Sequence, residues 1–290
     1  MNRKKFLQLA GLSSVSMAMK PITDLEKIMD VLPNTPKMPV LFLGHGTPMN
    51  AIEENKYTLG FKKVAKTLPK PTTIICVSAH WLTKGTKITA MENPKTIHDF
   101  GGFPQDLYDV KYPSKGNSSL AKETQKILLP NTNLELDYDW GLDHGAWSVL
   151  KHLYPKADIP VLQLSIDYYK PALYHFELAK KLTKLRSKGV LIIGSGNIVH
   201  NLKRLDSNTS KHDWGNVARE KLNNLILNED FNPLLDYQKL GKEVQLAIPT
   251  PDHYYPLIYA LGLKEKGENI ELFNDSLQTP KISMTSLKIS

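Results

Sequence analysis

The sequence predicts one α/β domain on a largely parallel, twisted central sheet with helices on both faces. Three observations carry this. Strand-like and helix-like segments alternate along the chain from about residue 38. The strand-like runs are nearly continuous Val, Ile and Leu, as strands buried on both faces require. Histidines follow three of these runs, where open α/β sheets gather their chemistry beyond the strand carboxyl ends.

The expected elements run as follows. Strands are Pro39–Gly44, Thr72–Ser78, Lys87–Ala90, Ile159–Ile166 and Val190–Gly194, each bounded by Gly, Pro or Ser. Helices are Lys56–Leu68, Ser118–Leu128, Ala146–Leu153, Pro171–Leu185, Trp214–Leu227 and Tyr254–Leu261. In the fifth helix Trp214, Val217, Ala218, Leu222 and Leu225 form one apolar stripe. Pro171 suits a first helical turn. Glu271–Phe273 and Ile282–Ile289 are expected as late strands. No internal repeat or low-complexity block interrupts the pattern.

Residues 1–37 differ from the rest. Arg3, Lys4 and Lys5 precede a mildly apolar stretch from Phe6 to Met19, the layout of an export signal. Asn2-Arg3-Lys4-Lys5-Phe6-Leu7 resembles a twin-arginine signal with Lys in place of the second Arg. A Pro-rich linker, Leu32-Pro33-Asn34-Thr35-Pro36-Lys37, follows. The expectation is export to the periplasm, with a cytoplasmic protein as the alternative, and a catalytic domain over residues 38–290. The stretch is too short and too polar to span a bilayer, so no stable membrane insertion is expected.

Composition narrows the function classes. The chain has 290 residues, a net charge of +8, 41% hydrophobic and 23% charged residues. The lysines are dispersed and form no basic block with interleaved aromatics, which argues against nucleic-acid binding. The single cysteine, Cys76, excludes an intrachain disulfide framework. Gly-x-Gly occurs at residues 44–46 and 194–196, but neither extends to Gly-x-Gly-x-x-Gly, so dinucleotide and P-loop sites are excluded.

The histidines carry the chemistry. His45 follows the first strand in Leu-Phe-Leu-Gly-His-Gly-Thr-Pro, His80 closes Val-Ser-Ala-His-Trp, and His200 follows Gly-Ser-Gly-Asn-Ile-Val. His253 lies in Pro-Thr-Pro-Asp-His-Tyr-Tyr-Pro, and His144 in Gly-Leu-Asp-His-Gly-Ala-Trp where a loop enters a helix. Imidazole is both a common metal ligand and the side chain best suited to proton transfer near neutral pH. His98 is a candidate for the substrate mouth. His152, His175 and His212 are expected at the surface. Trp81, Trp147 and Tyr254 belong either to an aromatic pocket wall or to the core.

Taken in order, Gly44-His45-Gly46-Thr47-Pro48, Ser78-Ala79-His80-Trp81, His98-Asp99-Phe100-Gly101-Gly102-Phe103-Pro104, Asp143-His144-Gly145-Ala146-Trp147, Gly194-Ser195-Gly196-Asn197-Ile198-Val199-His200-Asn201, Thr250-Pro251-Asp252-His253-Tyr254 and Ser283-Met284-Thr285-Ser286 form a recognisable set. The chain from Met38 onward resembles the DODA-type extradiol ring-cleaving dioxygenases, the class III or LigB-like group. The resemblance implies one divalent metal ion at His45, His80, His200 and His253, Fe(II) for activity with Zn(II) also bound in such proteins. It implies His144 beside the metal as an acid–base group. His200 is open between ligand and acid–base group, and Asp252 between a ligand and a partner orienting His253. The implied activity is insertion of both atoms of O2 into a catechol such as L-DOPA, with the catechol and O2 as the small-molecule partners. Two other readings remain: a zinc-dependent hydrolase using the same histidines to activate water, and a non-enzymatic binding protein resembling the Memo proteins. A need for Fe(II) and O2 separates the first, and any ring cleavage separates the second.

Overall fold

A computed structural model describes residues 34–129, 132–202 and 213–290. Most of the expected signal-and-linker segment, residues 1–33, lies outside the described residues, as does His212.

Ten strands and nine α-helices are described. The strands are β1 (Val40–Gly44), β2 (Thr73–Thr83), β3 (Thr86–Thr89), β4 (Leu134–Asp137), β5 (Val161–Asp167), β6 (Val190–Gly196), β7 (Ile270–Phe273), β8 (Leu277–Thr279), β9 (Ile282–Ser283) and β10 (Ser286–Ile289). The helices are α1 (Lys56–Ala65), α2 (Gln105–Tyr108), α3 (Ser118–Leu128), α4 (His144–Leu153), α5 (Ala172–Leu182), α6 (Trp214–Leu227), α7 (Asn232–Leu235), α8 (Lys242–Ala247) and α9 (Tyr255–Gly262). Among the described residues no helix is long and apolar enough to cross a membrane.

Eight strands form one sheet in the order β4-β3-β5-β2-β6-β1-β10-β7. Its centre, β5-β2-β6-β1, is parallel, with Val40 opposite Ile192 and Ile75 opposite both Leu162 and Ile192. These strands are buried along their whole length apart from the end of β2, which is why their sequences read as unbroken apolar runs. Leu41, Leu43, Ile74, Cys76, Leu191 and Ile193 pack with Phe61 of α1 and Trp147 and Leu150 of α4 in one core layer. The alternate residues Val40, Phe42, Ile75, Val77 and Ile192 are equally buried and face the opposite side, as strand alternation requires.

The sheet is largely parallel, as expected, with antiparallel additions: β10 is antiparallel to β1 and to β7, and β3 to β5. Other expectations need correction. The expected strand Ile282–Ile289 breaks at Met284 and Thr285. Its first half pairs with β8 in a separate two-stranded sheet, and its second half joins the main sheet. Strands β4 and β8 lie in polar segments with no apolar run, which is why the pattern hides them. The stripe of α6 is Trp214, Gly215, Ala218, Leu222 and Ile226, while Val217 is 49% exposed. The α6 stripe thus steps by four residues from Trp214 and Ala218.

The most consequential correction concerns β2. The strand does not stop before His80 but runs on to Thr83. Its register against β5 shifts between Val77 and Leu82. Val77 faces Leu164 and Leu82 faces Ile166, so five steps on β2 match two on β5 and three extra residues are looped out. Such bulges bend a strand and re-aim its side chains. Here the irregular stretch carries His80.

Candidate metal centre

His45 just after β1, His80 in the irregular last part of β2, and His253 in a loop packed on the end of β6 converge, and their ligand atoms lie within 4.8 Å of one another. His45 is the first residue after β1, and its N–H donates to Gly196 O (3.1 Å). Gly46 turns the chain away with a φ of +68°, a left-handed conformation that favours glycine. His253 lies in the loop before α9, which crosses so close to β6 that a side chain at Gly196 would collide with the His253 carbonyl.

Two of the three imidazoles have Nδ1 in a hydrogen bond, and the third has Nδ1 beside a carboxylate. The Ser195 hydroxyl donates to Gly145 O (2.5 Å), so its oxygen is free to accept from His45 Nδ1–H at 3.1 Å. The Asp252 carboxylate accepts from His253 Nδ1–H at 2.5 Å. Asp99 Oδ2 lies 3.3 Å from His80 Nδ1. A carboxylate can only accept, so Asp252 places the His253 ring proton on Nδ1, and the surroundings of His45 and His80 accommodate the same tautomer. In that tautomer His45 Nε2 and His80 Nε2 face each other at 3.3 Å with no proton between them. Two nitrogens bound to one tetrahedral ion at about 2.0–2.1 Å are separated by about 3.3 Å. The donor set therefore fits a metal, and the cluster could hold one ion. Burial, reinforced by the neighbouring imidazoles, pushes His45 and His80 well below the ordinary histidine value, which keeps both neutral.

The second carboxylate, Asp252, also forms with His200 and His253 a group whose ligand atoms lie within 4.8 Å of one another. Asp252 stands behind His253, on the nitrogen turned away from the cluster. Burial pushes its carboxyl up, but the bond from His253 outweighs this and holds it well below the usual carboxylate range.

His200 and His144 border the same cluster. The His200 ring stacks on His253 with centroids 3.5 Å apart and planes 6° from parallel. The two rings therefore lie face to face rather than edge to edge. Burial, then the adjacent His253, lowers His200 to about 3. His144 is the first residue of α4, whose N-cap Asp143 accepts from Ala146 N–H. Its ring centroid is 3.9 Å from that of His80. Asp143 is fully buried and accepts from Ser78 Oγ (2.6 Å) and Gln163 Nε2 (2.7 Å), which ties the start of α4 to β2 and β5.

A cavity of about 370 Å³ opens on these five histidines, within the range of small-molecule sites. Its remaining wall is mostly apolar: Pro48, Phe100, Phe103, Leu202 and Ile282, with Gly46 and Thr47 at the first turn. Phe100 meets His144 edge to face at 5.5 Å. Other expected residues do not reach the cavity. His98 is held behind Phe100, its Nε2–H donating to Val110 O (2.9 Å). Trp81, Trp147 and Tyr254 are core: Trp81 stacks on Trp140, Trp147 Nε1–H donates to Ile97 O, and the Tyr254 hydroxyl donates to Leu234 O. His175, expected at the surface, is fully buried against Tyr255 and Tyr259. His152 is half-buried and bonds Asn50 O (2.7 Å).

Asp99, to which sequence reasoning gave no role, lies beside both His80 and His144. It follows His98 in a Gly- and Pro-rich loop, where an acid reads as solvent-facing. Only its position between two candidate histidines reveals it.

A family model described as the catalytic LigB subunit of aromatic ring-opening dioxygenase matches residues 38–286. The chain belongs to this family. Among its relatives is an Escherichia coli (strain K12) 4,5-DOPA dioxygenase extradiol, 45% identical over 90% of this chain and 98% of the relative. A Beta vulgaris 4,5-DOPA dioxygenase extradiol is 34% identical over 86% of this chain and 95% of its own. The crystal structure of an uncharacterized Escherichia coli K12 protein superposes with a TM-score of 0.75 at 40% identity, covering 88% of this chain and all of that one. The LigB relationship accounts for the enzyme class, the α/β fold and the ordered motif set together.

Proposed function

We propose that this protein is a metal-dependent extradiol dioxygenase that inserts both atoms of O2 into a catechol, with L-DOPA as the leading candidate. The supporting observation is the set of three imidazoles whose Nδ1 atoms face polar oxygens and whose ring nitrogens converge under a small apolar cavity. The substrate assignment rests on the names of the relatives.

His45, His80 and His253 would hold the ion, and Fe(II) is the metal proposed for turnover, with Zn(II) able to occupy the same nitrogens. When bound, the metal would supply Lewis acidity to the two catechol oxygens and an open position for O2. The protein's own groups do the rest. Neutral imidazoles leave the ion most of its positive charge. Phe100, Phe103 and Ile282 wall the cavity and exclude water from the ring. His144 takes or returns a proton at the catechol hydroxyl nearest it. His200, stacked off the His253 plane, serves as a second acid–base group rather than a ligand.

The test is anaerobic reconstitution of the full chain with Fe(II), followed by a small catechol panel including L-DOPA. The expected result is one O2 consumed per catechol and a yellow ring-opened product. Turnover that proceeds without O2, or a Zn(II)-dependent hydrolysis in its place, would overturn the proposal.

A further inference from the structure

We propose that Asp99 is a positioning residue that fixes which ring nitrogen carries the proton in two histidines at once, His80 of the metal cluster and His144 beside it. Its consequence for turnover rests on the ring-opening reading above; its consequence for the histidines does not.

Asp99 sits in the loop between β3 and α2 that also supplies Phe100 and Phe103 to the cavity. Its side chain is 18% exposed. Oδ1 accepts from the backbone N–H of His144 (2.9 Å), at the first turn of α4. Oδ2 lies 3.0 Å from His144 Nδ1 and 3.3 Å from His80 Nδ1. Neither ring N–H points straight at this oxygen, and His144 Nδ1 is buried with no aligned hydrogen bond elsewhere. The shared carboxylate is thus the acceptor available to both nitrogens. It draws a proton onto each Nδ1 and leaves each Nε2 free: one toward the metal cluster, one as the basic atom of His144.

The backbone bond makes this arrangement hard to evade. In an Asp99→Asn protein the amide must present either its oxygen or its NH2 to the His144 backbone N–H. That N–H is an obligatory donor, so it captures the oxygen. The NH2 group then faces the two imidazoles, where an acceptor stood. An imidazole facing that donor must offer it a lone pair, so its proton moves to Nε2. For His80 this would put N–H on the atom that faces His45 Nε2 at 3.3 Å and would block a metal-binding nitrogen. For His144 it would protonate the atom left to act as base.

The experiment is a long-range ¹H–¹⁵N correlation of the histidine rings in the metal-free, full-length protein, assigned with His80→Gln and His144→Gln. Wild type should show Nδ1–H at both residues. Asp99→Asn should show Nε2–H at one or both, and Asp99→Glu should return Nδ1–H. Metal affinity of Asp99→Asn should fall about 10–100-fold. With Fe(II) and a good catechol its kcat should fall about 10²-fold while KM stays within about threefold, and Asp99→Glu should recover most of the loss. A wild-type spectrum with Nε2–H at both histidines overturns the proposal even if every variant fails to fold. An Asp99→Asn spectrum with both protons still on Nδ1 also overturns it. A protein that shows the expected spectra but opens no catechol would instead remove the ring-opening reading and leave the role of Asp99 standing.

Discussion

The two ends of the central sheet bury polar groups in opposite ways. Where β1 and β6 begin, Arg186 is wholly buried and every nitrogen has a partner. Its Nε donates to Met38 O (2.8 Å), Nη1 to Leu263 O (2.8 Å) and Glu268 Oε2 (2.9 Å), and Nη2 to Glu268 Oε1 (2.5 Å). Burial pushes the Glu268 carboxyl up, but Arg186 outweighs it and holds it at about 2. Where the same strands end, His45 and His80 point ring nitrogens at each other. The first cluster is complete without a ligand and ties strand to loop. The second could hold one ion. Saturated hydrogen bonding marks a structural site; converging lone pairs that nothing in the protein fills mark a functional one.

Substitution should separate the two ends. His45→Ala, His80→Ala or His253→Ala should each abolish metal retention after dialysis and remove measurable ring opening, while the far-UV CD spectrum stays native. Metal analysis checks this, and a full complement of metal in any of the three would break the contrast. Next in size, His144→Gln should keep its metal and lose about 10²–10⁴-fold in kcat. A kcat near that of wild type would make His144 structural. At the opposite end, Arg186→Met should lower unfolding free energy by about 3–5 kcal/mol in urea titrations, because it strands Glu268 and two carbonyls. Metal content per folded chain should not change.

A buried histidine outside both clusters sharpens the comparison further. Burial lowers His175 to about 4, against the 6.5 of an exposed histidine. Between those values the unfolded chain binds a proton that the native one does not. Stability is therefore full above pH 6.5 and is lost as pH falls toward 4, by roughly 3 kcal/mol. Urea midpoints at pH 7 and pH 4.5 should show the loss, and His175→Gln should flatten that part of the profile.

How much of this was legible depended on whether the signal was local. The four central strands were, because burial on both faces writes an unbroken apolar run into Val40–Gly44 or Val190–Gly196. The strand-end pattern pointed to His45, His80 and His200, while His253 follows no strand and was tied to them only by the ordered motif set. Strand β4 was not, since Leu134–Asp137 is half-exposed and polar. Nor was the bulge that lifts His80, because register is a property of two strands rather than one. His175 was expected at the surface as a polar side chain on a helix, although Ala172, Leu178 and Ala179 place it on the buried face of α5; its ring packs on Tyr259 of α9, more than seventy residues on. Asp99 was hidden for the same reason. Its partners, His80 and His144, come from distant segments, and only the fold brings them to one carboxylate.

The most direct measurement is X-ray absorption at the zinc edge of the full chain loaded with one equivalent of Zn(II). The expected first shell contains three imidazole nitrogens at about 2.0–2.1 Å, bound through Nε2. His253→Ala should lose one of the three, and His200→Ala should lose none. A first shell built of carboxylate oxygens, or one that His253→Ala leaves intact, would contradict the cluster as the metal centre.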